Sequence, residues 1–326
     1  GTVRAGHERR TNRADHGYPR LVSLRPRHAV WILLAVGGVL LVPLPAGGRI
    51  TRALLDFCHV GVGGLLAIAI WTMLRGRVRM GDASLACAVA VAATGVGLGI
   101  EKLQGLTGRE ASWLDAGTNA VGAAVAVLLL LLARGRAQPR WLTGAVIVVL
   151  LALAAWTPGR QIQDALRQRS EFPMLASFEN ELELSRWRFQ EATGAIVTAR
   201  GTHGPESLRV ELAAGHYPGA SFVWPPPDWS AHAALAFDIH VDEGPALPLI
   251  VKIEDRAHNQ TYEDRFHEEL LLEPGTHQIR IETGRIRDGI RGRKLDLEKV
   301  AVVQLFLDGL ESARVIHLDN VRLLEE

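Results

Sequence analysis

Long apolar runs fill the first half of the chain, whereas short alternating runs fill the second half. Five apolar runs of about 17 to 18 residues contain no Asp, Glu, Lys or Arg, and they cover residues 29–45, 57–74, 83–100, 116–133 and 141–157. Runs of this length lie at the short end of what crosses a hydrocarbon core of about 30 Å. A buried helix of a soluble protein rarely lacks a polar face so completely. The pattern therefore predicts an α-helical polytopic membrane bundle of five spans.

The basic residues between the runs predict the orientation of the bundle. Thirteen arginines lie in segment 1–28 and in the loops after the second and fourth runs, whereas the loops on the other side carry four lysines and arginines. Because basic residues accumulate on the cytoplasmic side, segment 1–28 is predicted to be a cytoplasmic tail and the second half to be extracytoplasmic. This predicts a multi-pass protein of the bacterial cytoplasmic (inner) membrane, with the lipid bilayer as a partner. Alternatively, the first run is a signal peptide, which leaves the later topology unchanged.

The second half has the periodicity of β-strands. Residues 158–174 are predicted to be a polar linker, helical near "QIQDALRQR". In residues 175–326, segments such as "SLRVEL" and "LAFDIHV" alternate apolar and polar positions, and turns rich in Gly and Pro separate them. Many short alternating strands with such turns predict an all-β jelly-roll or β-sandwich domain.

The composition narrows the set of partners. The formal net charge is +1, so the chain has no overall excess of charge to attract nucleic acid. Residues 175–326 contain no cysteine, so the domain must fold without disulfides, which about 150 residues can do.

Polar residues interrupt the apolar pattern at three helix ends on the predicted outer side. They come in three sets spaced by three or four residues, which places each set on one side of its helix: Asp56 with His59, Glu101 with Gln104, and Ser112 with Asp115 and Asn119.

One interpretation of these polar sets is simple capping, because Ser112 and Asp115 resemble a capping box. Capping does not explain Glu101, because an acid at a helix C-terminus opposes the helix dipole. The alternative is an outward-facing polar cleft, since ionisable groups at membrane depth usually mark function. Glycines such as Gly63, Gly95 and Gly99 indicate close helix packing.

The polar sets and their glycines are similar to the VanZ-like integral membrane family over about residues 29–133. The segments that carry the resemblance are "DFCHVGVGGLLA" and "EKLQGLTGREASWLDAGTNAVGA". The matching positions are Asp56, His59, Glu101, Gln104, Gly108, Arg109, Asp115, Asn119 and Gly122. The resemblance implies a setting in the cell envelope and an association with resistance to glycopeptide antibiotics, but no reaction. The fifth run and the domain behind it depart from the family's pattern.

The β-domain resembles carbohydrate-binding modules of the jelly-roll type. The segments that carry the resemblance are "SFENE", "HYPGASFVWPPPDWS", "EDRAHNQTYEDRF" and "HLDNVRLL". The resemblance implies a structural Ca²⁺ held by Glu179 and Asp319, although two carboxylates are not a complete site. It also implies a glycan site in which aromatic rings and planar polar groups contact the sugar. The candidate residues are Trp187, Tyr217, Trp224, His258, Tyr262 and Arg265. The competing interpretation is that aromatic residues of these segments, such as Trp229 and Phe266, belong to the core and that Asp255 or Asp264 pairs locally with an arginine.

Two functions follow from these patterns. The first is a membrane protein of the cell envelope whose outer domain binds a glycan. The second is an intramembrane enzyme that acts on a lipid-linked wall precursor, with His59 as acid or base and Asp56, Glu101 and Asp115 as its partners or as metal ligands. The chain has no nucleophile elbow, P-loop, zinc motif or dinucleotide fingerprint, which disfavours the enzyme. A transporter is disfavoured by the lack of an internal repeat.

Overall fold

A computed structural model gives the structure of residues 48–106 and 113–325. The tail 1–28, the first predicted span 29–45 and Arg109 lie outside the described residues. The chain divides into two compact units, which we describe separately. The first contains residues 58–152, and the second contains residues 48–57 and 153–325.

Within the described residues, four helices are long and apolar enough to cross a membrane. They are α1 (Arg49–Leu74), α2 (Asp82–Leu106), α3 (Trp113–Ala133) and α4 (Arg140–Glu171). The four predicted spans from 57–74 onward each lie inside one of these helices. Many large apolar side chains on the helices are exposed, among them Val91, Val148 and Trp156. This exposure is typical of helices that lie in lipid, where the apolar face needs no protein partner.

The predicted linker 158–174 is helical for most of its length. Helix α4 continues through Pro158 to Glu171, so the apolar run and the polar segment form one helix of 32 residues. Strand β1 begins three residues later, at Met174. The boundary between the two units falls inside α4, between Ala152 and Leu153, and not in a loop.

Glycines bring α1 and α3 into backbone contact in the first unit. A Cβ atom at Gly63 would overlap the carbonyl of Asn119, and a Cβ atom at Gly122 would overlap the carbonyl of Val60. Only glycine permits such an approach. Trp71, fully buried, packs with apolar residues of α1, α2 and α3. By contrast, Gly95 and Gly99 face no atom within 4 Å among the described residues, so the packing role of this pair stays a prediction.

The predicted β-sandwich is confirmed in the second unit. Its strands are β1 (Met174–Ala176), β2 (Trp187–Gln190), β3 (Ala192–Val197), β4 (Ser207–Leu212), β5 (Gly219–Phe222), β6 (Ala234–Val241), β7 (Leu247–Asp255), β8 (Phe266–Leu272), β9 (Gly275–Glu282), β10 (Val300–Phe306) and β11 (Arg314–Leu324). Short helical turns cover Glu181–Arg186, Tyr262–Asp264 and Leu297–Lys299, and a short α5 covers Thr283–Asp288.

The strands form two antiparallel sheets. The six-stranded sheet has the order β3-β4-β11-β6-β9, and β1 also pairs with β11. The five-stranded sheet has the order β2-β5-β10-β7-β8. Alternate residues of both sheets point inward and form one apolar core, which includes Phe222, Phe237 and Ile253. Because side chains alternate along a strand, the remaining positions define an outer face on each sheet.

Candidate functional site

Three ionisable residues from three different helices meet in the first unit. His59 comes from α1, Glu101 from the C-terminal part of α2 and Asp115 from the first turn of α3. One potential ligand atom from each residue lies within 4.8 Å of the others. Nδ1 of His59 is 3.9 Å from Oε1 of Glu101, which is too long for a hydrogen bond. We call His59, Glu101 and Asp115 the helical triad.

The helical triad is partly buried next to the glycine contact. Glu101 is 4% exposed, and among the described residues neither its Oε1 nor Nδ1 of His59 has a hydrogen-bond partner. Asn119, one turn after Asp115, is 3% exposed, and its Oδ1 also has no hydrogen-bond partner. The side chain of Asn119 packs against Gly97 of α2, while its backbone meets Gly63 of α1. Asn119 therefore contacts both neighbouring helices at the level of the triad.

The other members of the predicted polar cluster are Asp56, Gln104 and Arg109. Asp56 belongs to the second unit, where it lines a cleft of about 230 Å³ together with Arg49, Arg52 and Trp224. Gln104 lies in the last turn of α2, and we describe only its backbone. Arg109 lies outside the described residues. The structure thus brings together His59, Glu101 and Asp115, with Asn119 beside them.

A polar row crosses the outer face of the five-stranded sheet. Residues paired across antiparallel strands point to the same face. The pairing places Arg188 opposite Ser221, Ser221 opposite Gln304, Gln304 opposite Lys252, and Lys252 opposite His267. Nε2 of Gln304 donates a hydrogen bond of 2.9 Å to Oγ of Ser221. We call the five residues Arg188, Ser221, Gln304, Lys252 and His267 the outer row.

Aromatic side chains lie on both sides of the outer row. Tyr217, half exposed, packs edge-on against Phe306, whose ring centroid is 6.3 Å away. Tyr262 is 58% exposed, and the guanidinium of Arg265 lies 4.6 Å from its ring centroid. The ring of Tyr262 is 5.2 Å from that of His267, so it adjoins the end of the outer row. An exposed tyrosine ring next to planar polar groups is suited to contact both the apolar and the hydroxyl faces of a sugar.

The polar atoms at this end of the row are incompletely satisfied. Nε of Arg265 and Nδ1 of His267 are buried and have no hydrogen-bond partner. Burial and the positive charge of Arg265 lower the pKa of His267 below its ordinary value, so its ring is neutral near pH 7. A neutral imidazole can donate one hydrogen bond and accept another. Both side chains therefore keep a polar atom without a partner among the described residues at this end of the row.

The loop that carries Tyr262 is fixed by one arginine. Arg293 donates hydrogen bonds to Asp255 at 2.5 and 2.8 Å and to Asp264 at 2.5 Å. Burial opposes ionisation of Asp255, but the hydrogen bonds from Arg293 and the amide of Asp296 outweigh it and lower its pKa. The hydrogen bond from Arg293 also lowers the pKa of Asp264. Asp255 and Asp264 are thus both paired with Arg293, and these ion pairs hold the two ends of the loop that carries Tyr262.

Three of the predicted glycan-contacting residues have other roles. Trp187 is 6% exposed and stacks on Phe222 at 5.1 Å, so it packs in the core and does not lie on the outer face. It points inward because it precedes Arg188 by one residue. His258 has a side chain that is 5% exposed and held by Glu254 and Asp264, which makes it a support of the loop.

The third of these residues, Trp224, lies in the cleft of the second unit. The guanidinium of Arg52 is 5.9 Å from its ring centroid. Tyr217, Tyr262 and Arg265 are the predicted residues that remain beside the outer row. Trp229 is fully buried and belongs to the core.

The two predicted calcium ligands both contact the loop formed by residues 202–206. Oε1 of Glu179 accepts a hydrogen bond from the amide of Glu206, and Oδ2 of Asp319 accepts from the amides of Thr202 and His203. Within the described part of the chain, Glu179 and Asp319 do not belong to a group of three clustered ligands. Ca²⁺ takes six to eight oxygen ligands, so these two carboxylates alone do not form its site. Their observed role is to hold the loop, and calcium binding stays a prediction.

A buried ion-pair cluster joins helical segments to the β-sandwich within the second unit. Asp164 of α4 and Arg186 are both 0% exposed, and Nη2 of Arg186 donates to Asp164 at 2.8 Å. Arg49 of α1 makes a short hydrogen bond to the same carboxylate. Nη1 of Arg186 also donates to the carbonyl of Leu175 at 2.7 Å. Sequence reasoning missed this cluster because Asp164 looked like any polar residue of the linker.

The comparisons with known proteins leave the function open. No protein-family model matches the chain, and no curated protein matches it. A family 11 carbohydrate-binding module from Clostridium thermocellum, solved with a β-1,3-1,4-mixed-linked tetrasaccharide, is similar at 20% identity and a TM-score of 0.38, over 47% of this chain and 94% of the module.

Two further solved structures are similar to the same degree. A family 28 carbohydrate-binding module specific for non-crystalline cellulose is 14% identical with a TM-score of 0.35, over 48% of this chain and 95% of the module. An exo-β-agarase is 21% identical with a TM-score of 0.39, over 47% of this chain and 25% of the enzyme. Similarity at this level does not establish a function for the β-domain.

Proposed function

We propose that this chain is a membrane protein of the cell envelope whose β-sandwich binds a glycan on the outer face of the five-stranded sheet. The observation that carries the proposal is the outer row with Tyr217 and Tyr262 beside it. Aromatic rings stack on the C–H face of a sugar, and amide, imidazole and guanidinium groups bond its hydroxyls. The four apolar helices provide the membrane anchor.

The arrangement of charges favours a hydroxyl-rich ligand over a strongly charged one. The cation Lys252 is paired with Glu254, which also lies 3.0 Å from Nε2 of His258. Gln304 and Ser221 are neutral, and His267 is neutral near pH 7. A neutral polysaccharide of the cell envelope or a peptidoglycan fragment is therefore the proposed ligand class.

The test uses the full chain in nanodiscs on an array of β-glucans and peptidoglycan fragments. Tyr262→Ala and Gln304→Ala should each weaken binding roughly fivefold, because a stacked ring or a hydrogen bond contributes on the order of 1 kcal/mol. Arg280→Ala is the matched control, since its side chain is 58% exposed on the other sheet. Retention of no glycan by the wild type, or equal losses in the control, would contradict the proposal.

The resemblance to VanZ-like proteins adds a finer hypothesis, that the chain lowers susceptibility to glycopeptide antibiotics. Its support is the set of motif positions, three of which the fold brings together as the helical triad. Expression in a susceptible host should raise the minimum inhibitory concentration, and His59→Gln should remove the increase. An unchanged concentration at normal expression would reject this role without affecting glycan binding.

The helical triad also favours the alternative hypothesis of an intramembrane enzyme that acts on a lipid-linked envelope precursor. A histidine close to two carboxylates has the groups needed for acid–base work. The test incubates the full chain in nanodiscs with lipid-linked wall precursors and follows the products by mass spectrometry. Turnover that disappears in Glu101→Gln supports the enzyme, and turnover unaffected by this change assigns the activity elsewhere.

A further inference from the structure

We propose that the helical triad, His59, Glu101 and Asp115, binds a divalent first-row transition metal, with Zn²⁺ as its best-fitting member. This site is separate from the proposed glycan-binding face, and neither depends on the other. The first argument is the donor set. One imidazole nitrogen and two carboxylate groups supply three ligand atoms within 4.8 Å of one another. A set of three protein ligands that leaves a further position open is typical of accessible zinc sites.

The distances fit an ion of this size. Zinc bonds to nitrogen and oxygen are about 2.0–2.2 Å long, so neighbouring ligands of a tetrahedral ion lie about 3.4 Å apart. Nδ1 of His59 and Oε1 of Glu101 are 3.9 Å apart, which is too long for a hydrogen bond between them. A rotation that moves them about half an ångström closer would place both on one ion.

The second argument is that the atoms facing each other have no other partner within residues 48–106 and 113–325. Oε1 of Glu101 and Nδ1 of His59 accept or donate no hydrogen bond there, and Glu101 is 4% exposed. A buried carboxylate oxygen without a partner is unfavourable, because burial removes its hydration and no hydrogen bond compensates for the loss. A cation between the two atoms satisfies both at once. Simple capping of helix ends does not account for an acid at the C-terminal part of α2.

The third argument is that the surrounding helices are rigid. The backbone contacts of Gly63 with Asn119 and of Gly122 with Val60 fix α1 against α3 within one turn or two of the ligands. Asn119, buried between helices, has an unpaired Oδ1 one turn from Asp115. Outer partners that orient ligands or bound water are typical of metal sites. Asn119 is therefore assigned as a positioning residue.

The donor chemistry selects the metal. Imidazole favours zinc and its first-row neighbours, whereas calcium and magnesium prefer sites made of oxygen alone. The site lacks the thiolates that structural zinc sites often use, and its open position would hold water or a ligand oxygen. An exchangeable zinc site is the expected behaviour.

The experiment uses the full chain in detergent, stripped with a chelator and then titrated with Zn²⁺ at neutral pH. Bound metal is counted by mass spectrometry, and affinity is measured by competition with a chromophoric chelator. We expect one equivalent of zinc per chain. Glu101→Gln and His59→Gln should weaken binding about 100-fold or more, and Asn119→Ala about 10- to 100-fold.

A pair of histidines outside the helical triad provides the control. His240 and His317 lie with ring centroids 6.2 Å apart on the β-sandwich, with Asp242 nearby, and could bind zinc adventitiously. The double variant His240→Gln/His317→Gln should keep the full equivalent of zinc. Loss of zinc in this variant, or its retention in Glu101→Gln, would overturn the proposal.

A thermal measurement keeps the result interpretable if a variant folds poorly. Bound metal stabilises the folded state, so zinc should raise the unfolding temperature of the stripped wild type. The nearly isosteric Glu101→Gln should unfold cooperatively yet show no zinc-dependent rise. A wild type that binds no zinc at 100 µM and shows no thermal shift would refute the metal site and leave His59 and Glu101 as an ion pair.

Discussion

The buried carboxylate of Asp164 makes the most quantitative prediction about this fold. Asp164→Asn keeps the shape of the side chain but removes the charge that faces Arg186 and Arg49. Asp164 and Arg186 are both 0% exposed, and Arg186 directs three nitrogens at Asp164 and the carbonyl of Leu175. Removal of one member of a buried ion pair costs about 3–5 kcal/mol, because the other charge stays buried without its partner.

The neighbouring acid cannot fully replace Asp164. Glu183 lies 3.6 Å from Arg186, but its carboxylate already accepts hydrogen bonds from the amides of Ser177 and Phe178. For a domain of this size, about 3–5 kcal/mol corresponds to a fall of about 6–20 °C in the midpoint of unfolding.

The assay follows tryptophan fluorescence of the full chain in detergent during heating, because Trp187 and Trp229 report on the core of the β-sandwich. Asp288→Asn, at a side chain that is 49% exposed, is the control and should shift the midpoint by less than about 2 °C. A soluble fragment that starts at residue 175 lacks Asp164 and should be less stable than one that starts at residue 153. If Asp164→Asn behaves like the control, the ion pair does not hold the helix to the sandwich.

Three further predictions concern the β-sandwich. Burial lowers the pKa of His317 and that of His240 in the folded state. The unfolded state therefore binds more protons below about pH 6.5, and the stability of the domain should fall as the pH drops from 6.5. His317→Gln should make the unfolding temperature less dependent on pH. Arg293→Gln should loosen loop 255–265 and weaken glycan binding, with faster amide hydrogen exchange in that loop, whereas the exposed Arg287→Gln should leave both unchanged. Calcium added after chelation should raise the unfolding temperature of the wild type but not of Asp319→Asn, and a wild-type temperature that does not respond to calcium would contradict the calcium prediction.

Periodicity predicted the elements well because it reflects burial directly. The four apolar runs within the described residues became helices and the alternating runs became strands, since each pattern fits one backbone period. The spacing of Asp56 and His59 did not reveal that the two residues belong to different compact units. Helix ends can be read from a sequence, but the rotation of each helix depends on contacts such as Gly63 against Asn119, which only the packed structure contains.

The proposed glycan-binding face was only partly predictable for a similar reason. Alternation identifies two faces of a strand, but the neighbouring sheet decides which face is inside. Trp187 and Arg188 are adjacent, and the attractive aromatic residue proved to be the buried one. Gln304 and Lys252 carry no motif, and they become part of a surface only through strand pairing. Exposed Tyr262 could be predicted because it lies in a dense polar loop that no core needs.

The outer row also has a length, which sets a size for its ligand. It crosses five strands, and neighbouring strands are about 4.8 Å apart, so the row extends about 19 Å across the sheet. A single sugar would cover only one or two of the five side chains and would leave the rest to water. Affinity should therefore increase with each added sugar unit and level off once the chain reaches from Arg188 to His267. We therefore expect the affinity for the proposed glycan ligand to depend on the length of an unbranched chain and not on the structure of its two ends.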